Sequence, residues 1–216
     1  MPKYFDELEA EIPAIRTLPQ KADATGYFIQ EAIRFYSIAG TLLSNGFALD
    51  ASSSIDERYL THTLTRSLLE PFFVILYIFD DSSQTNARYE EQKSTFKEQY
   101  RKLMNDLNAP EWQRFMQSYS GQLEVADPTW TGTNKLPDVK AMLGKLSTSN
   151  NTKLDFLYPL YRITSFDTHG RSLATIFEAV FGKQCSFPVL IIKDAIELMA
   201  NQYLAVLSDL RKSGAI

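Results

Sequence analysis

The sequence predicts an all-α protein, a bundle of about seven to nine helices, from three observations. Apolar residues recur at spacings of three and four along most of the chain, and strand-like alternation is rare. Helix signals stand where that pattern changes: "SIDE" at 54–57 reads as a capping box, and Gly46 and Gly214 follow periodic runs. At 44% hydrophobic and 22% charged, the 216 residues can bury a substantial core, which argues against a disordered chain. The length suits one helical domain over 1–216, with an N-terminal helix at about 3–18 and an irregular loop at about 120–135.

The elements follow in order. "KYFDELEAEIPAIR" is amphipathic, and Pro13 should break or bend it. A second helix spans about 22–43, with Phe28, Ala32, Phe35, Ile38 and Leu42 on one stripe. "ALDASSS" is a loop. The capping box opens a long helix to about Phe79, with Pro71 inside it. The charge-rich segment 84–107 carries a thin stripe of Tyr89, Phe96, Tyr100 and Leu103, so it belongs on the surface. "NAPE" at 108–111 reads as a helix start with Asn108 as cap. The Gly-, Pro- and Thr-rich stretch 120–135 is a loop that Trp130 should pin down. "LPDVKAMLGKL" is a short helix and "STSNNTK" a polar linker. A helix from about Leu154 or Pro159 to His169 and helices over 171–181 and 186–212 follow, the last with Ser186 as cap, Pro188 in its first turn and a wide apolar face.

A net charge of −4 does not suit a general nucleic-acid surface, although it leaves room for a local basic groove. The single cysteine, Cys185, excludes an internal disulfide and a cysteine-based zinc framework. With no basic, apolar leader at the start, a cytoplasmic location is expected. The apolar run "PFFVILYIF" is too short for a bilayer, so no membrane role is expected. Two histidines without clustered acids give no metal site, and no phosphate loop or nucleophile motif implies a cofactor or a familiar hydrolase.

Two segments could carry chemistry. In "YRITSFDTHG", residues 161–170, Tyr161, Ser165 and His169 are four apart and share a helix face, and Arg162 and His169 are seven apart. Gly170 either ends this helix, leaving His169 at its C-terminus, or bends it. In "HTLTRSLLEPF", residues 62–72, His62, Arg66 and Glu70 make a second series of fours on an otherwise apolar helix. Charges on such a helix need partners if buried, and one economical packing sets the two strips face to face. Glu70 would then take a hydrogen bond from Tyr161 or His169, and Arg66 would face the open side. Plainer readings stand beside this one: Arg66 and Glu70 as an intrahelical ion pair, His62 as a surface or interface histidine, His169 as a helix cap and Cys185 as inert.

"RSLLE" at 66–70 together with "YRITSFDTHG" resembles a bacterial family of helical proteins of unknown function. Its R-x3-E and Y-x3-S-x3-H signatures match Arg66, Glu70, Tyr161, Ser165 and His169. More distantly, Arg162 and His169 with six residues between resemble the signature of HEPN-like domains, with Ile163 where that family usually carries a polar residue. That likeness implies a dimeric helical bundle, in many cases a metal-independent ribonuclease. His169 would then move the proton and Arg162 stabilise the phosphorane, two copies of each meeting in a homodimer that acts on RNA. The expected function is a non-catalytic module that binds a small molecule or partner through Arg66, Glu70, Tyr161, Ser165 and His169. The ribonuclease and a purely structural polar cluster are the alternatives.

Overall fold

The computed structural model describes residues 3–50, 52–130, 134–146, 157–185 and 191–216. Among these residues it is all helical: α1 (Tyr4–Thr17), α2 (Ala24–Ser44), α3 (Ile55–Phe79), α4 (Thr85–Leu107), α5 (Gln113–Tyr119), α6 (Val139–Lys145), α7 (Leu157–Thr168), α8 (Leu173–Phe181) and α9 (Ile192–Lys212). Two short 3-10 turns, Pro110–Trp112 and Ser120–Gln122, flank α5. No helix of the described residues is long and apolar enough to cross a membrane.

One apolar core joins α1, α2, α3, α6, α7 and α9. α9 is central to it, against α1, α2 and α3, because Ile192, Ala195, Ile196, Met199, Tyr203, Leu207 and Leu210 repeat at threes and fours and are all buried. The Tyr203 ring stacks on Phe35 at 4.7 Å and lies 6.0 Å from both Phe28 and Phe72, so one side chain ties α9 to α2 and α3. Burying each such ring is worth roughly 1.5–3 kcal/mol. α2 begins where Asp23 accepts a hydrogen bond from the Gly26 N–H at 2.9 Å. Gly26 is required there, since a Cβ would stand 1.8 Å from the Lys21 carbonyl oxygen.

α3 holds the site in place. Its capping box is formed from both sides, Glu57 N–H to Ser54 Oγ at 3.2 Å and Ser54 N–H to Glu57 Oε2 at 2.9 Å. The half after Leu68 is apolar apart from the exposed Glu70 and buries Leu69, Phe72, Phe73 and Ile75 through Ile78. The half before it buries Thr61, His62, Thr65 and Arg66, and this polar half lies along α7.

Four expectations need correction. α1 runs unbroken through Pro13, because buried Ile12 and Ile15 hold the helix down on either side of the lost hydrogen bond. Asn108 closes α4 and caps nothing after it. Pro110 keeps Ala109 extended, and a 3-10 turn with no side-chain cap leads into the short helix α5. The last helix starts at Ile192, since Ile191 has a ψ of 76°. Ser186 and Pro188, expected to open it, lie outside the described residues. Val139–Lys145 is the extent of the short helix expected over 136–146.

α4 does lie on the surface, with only Glu98 and Met104 buried. Trp130 packs the long loop onto it, 6.4 Å from the Tyr100 ring, while Lys135 pairs with Glu98.

Candidate functional site

α7 ends in a Schellman turn. Gly170, at φ 67°, donates to the Asp167 carbonyl at 2.9 Å, and Arg171 donates to the Phe166 carbonyl at 2.8 Å. Two residues on, Ser172 takes φ 43° and ψ 70° and starts α8. It is the one left-handed non-glycine among the described residues, and that conformation costs about 1–3 kcal/mol. The tight double bend brings the first turn of α8 back beside Asp167 and the N-terminal half of α3.

Asp167 is the keystone of that junction. It is 5% exposed. One carboxylate oxygen accepts from the Leu173 N–H at 2.8 Å, satisfying the first free donor of α8. The other meets His62 Nδ1 at 2.6 Å, and His62 is itself 7% exposed. A carboxylate that already accepts a backbone N–H is placed to accept from Nδ1–H as well. In the neutral imidazole this leaves Nε2 as a lone-pair acceptor. Sequence reasoning expected His62 at a surface or an interface; it is buried because Asp167 gives it a partner in the core.

One helical turn along α3, Arg66 forms a second knot. Its guanidinium lies 3.3 Å from the centroid of the Tyr161 ring and donates to the Tyr161 carbonyl at 2.8 Å, to Ser165 Oγ and to Glu70 Oε1 at 2.7 Å. Arg66, Glu70, Tyr161 and Ser165 are therefore together. Arg66 does not face an open side: it is buried under the tyrosine. Glu70 accepts from Arg66 rather than from Tyr161 or His169, and its side chain is 57% exposed.

His169 stays outside the cluster. It is exposed at the C-terminal end of α7, as is Arg162 on the outer face, and no hydrogen bond among the described residues joins either to Arg66 or Asp167.

The cavity lies beside the His62 pair, not the Arg66 knot. It measures about 170 Å³. Its walls are the loop before α3 (Leu49, Asp50, Ser53), the first turns of α3, Ile163 and Asp167 of α7, and the start of α8. Ser53 is 8% exposed and its hydroxyl has no hydrogen-bond partner, so it is a buried polar group without a partner of its own on the pocket wall. Cys185, read as inert, is half-buried on the same wall.

Asp167 and the Ser53 hydroxyl were missed in the sequence. The signal for Asp167 was present: Leu157, Leu160, Thr164 and Asp167 are spaced three, four and three, the register of a buried stripe, and a carboxylate on such a stripe needs a partner. No group of three or more His, Cys, Asp or Glu among the described residues could hold a metal ion. No family model, curated protein or solved structure matches the chain.

Proposed function

We propose that this protein is a non-catalytic binding module whose ligand is a small molecule held in the cavity beside His62 and Asp167. The observation that carries this reading is a polar wall on one cavity: a buried imidazole oriented by Asp167, and a buried serine hydroxyl with no partner. Nucleophilic catalysis would need a hydroxyl or thiol bonded to the imidazole. Ser53 Oγ has no such bond, which supports a space for a ligand group between the two. The Arg66 knot then serves as a brace that holds α3 to α7, because its buried guanidinium lies over the Tyr161 ring and bonds to Tyr161, Ser165 and Glu70.

A thermal-shift screen of small metabolites tests the reading. Saturation at one hundred times Kd stabilises by about 2.7 kcal/mol, which is roughly 5–10 °C for a chain of this size. Ala174→Phe, which fills the pocket wall, should abolish the shift. Shifts that persist in both Ala174→Phe and His62→Ala, or no shift with any compound, would end this assignment.

A second reading keeps Arg162 and His169 as a ribonuclease pair in a homodimer, supported by the exposure of both side chains on α7. Cleavage of single-stranded RNA that disappears in His169→Ala would favour it over the binding module.

A further inference from the structure

The cavity's own chemistry narrows its ligand. Its lining carries three carboxylates, Asp50, Asp56 and Asp167, against a single guanidinium, Arg58. Asp167 is occupied by His62 and the Leu173 N–H, so Asp50 and Asp56, both exposed, set the sign of the mouth. Asp50 stays ionised: the Ser52 hydroxyl and backbone N–H hold its carboxyl below the usual range. The more buried part of the wall is apolar, with Leu49, Ile163, Leu173 and Ile192. Two polar groups share this lining, the His62 imidazole, whose Nε2 accepts when the ring is neutral, and the unpartnered hydroxyl of Ser53, which is over nine-tenths buried. An apolar cavity of about 150 Å³ accepts benzene, so the cavity of about 170 Å³ encloses one such ring and leaves a longer molecule's end at the mouth.

We propose that this pocket takes a small organic amine: its ammonium lies at the Asp50 and Asp56 carboxylates, its apolar body lies along Leu173 and Ile192, and a hydroxyl at its far end bridges His62 Nε2 and Ser53 Oγ. A carboxylate ligand is disfavoured, because it would add a fourth negative charge to a lining with one fixed cation. Phosphate esters are disfavoured on the same ground. This inference rests on the binding reading above and specifies its ligand class.

Four probes on one phenylethyl frame separate the charges and the hydroxyl: tyramine, phenethylamine without the hydroxyl, 4-ethylphenol without the amine, and the anion 3-(4-hydroxyphenyl)propionate. Titration calorimetry on the full chain should give tyramine the lowest Kd, at least about tenfold below the anion. Asp50→Asn with Asp56→Asn, on exposed positions, should weaken tyramine about three- to tenfold and leave 4-ethylphenol unchanged. Ser53→Ala should weaken tyramine and 4-ethylphenol but not phenethylamine. If the anion or 4-ethylphenol binds as tightly as tyramine, the pocket reading stands and the amine assignment falls. If none of the four binds at millimolar concentration, the amine assignment falls too, and the metabolite screen alone decides the pocket.

Discussion

Asp167 joins three helices through two hydrogen bonds, so its removal offers the sharpest test of how the site is built. Asp167→Ala deletes the acceptor of His62 Nδ1, 2.6 Å away, and of the Leu173 N–H, 2.8 Å away. Hydrogen bonds to a charged group contribute about 1.5–3 kcal/mol each, so losing both of them costs at least about 3 kcal/mol. The expected loss is therefore about 3–5 kcal/mol, or roughly 6–20 °C in melting temperature for a chain of this length. Asp167→Asn keeps the shape but turns an amide N–H₂ towards one of the two donors, so it should lose about half as much. Urea unfolding followed by far-UV circular dichroism measures both. The decisive number is the coupling in a double-mutant cycle with His62→Ala. Contacting buried partners couple by about 0.5–3 kcal/mol, and this pair belongs near the top of that range. Single losses below about 1 kcal/mol with no coupling would show that the pair does not hold α3, α7 and α8 together.

Two further outcomes follow from burial. Arg66→Ala should destabilise by about 3 kcal/mol, because it removes the bonds to Tyr161 and Ser165 from a buried guanidinium; Glu70→Ala should change stability by less than about 1 kcal/mol, because that carboxylate is 57% exposed. Urea melts of the two variants side by side check the contrast, and equal losses would refute it. Glu31 gives the pH test. Burial raises its carboxyl above the ordinary value of 4.5, against the pull of Arg34. Its contribution is fully present below that ordinary value and is lost as pH rises through the raised folded value. Glu31→Gln should abolish this loss, so the variant gains on the wild type between mildly acidic and neutral pH, as measured by urea unfolding across that window. A difference that does not change with pH would contradict the sign.

Most of the fold was legible because it depends on period and caps. The stripe of α2 from Phe28 to Leu42, the Ser54–Glu57 box and the glycine after α9 all act locally, and all stand where the sequence puts them. Pro13 and Asn108 misled because each has a local preference that its neighbours override, buried isoleucines in one case and Pro110 in the other. The cavity was not legible. It is made by the 48–53 loop, the α7–α8 bend and the start of α9, segments far apart in sequence whose meeting depends on a left-handed Ser172. Nothing in "THGRSLA" announces that a serine takes that conformation in addition to the glycine two residues before it.

The candidate site itself was read one helical turn away from the cavity, and helix geometry explains the offset. Steps of four residues advance about 40° around a helix, so two steps carry a side chain about 80° from where the series began. The series His62, Arg66, Glu70 accordingly starts in the core and ends in solvent, with His62 and Arg66 buried and Glu70 mostly exposed. Tyr161, Ser165, His169 drifts the same way, from two half-buried residues to an exposed one. A buried face instead alternates threes and fours, as Leu157, Leu160, Thr164, Asp167 does on α7 and His62, Thr65, Leu69, Phe72 does on α3. Where those two faces meet, the polar members must find each other, and His62 with Asp167 is the pair that results. A matching series of fours therefore marks residues that brace two helices at one end and leave them at the other, whereas a titratable residue in the three–four register marks the point where the core itself has been opened to chemistry.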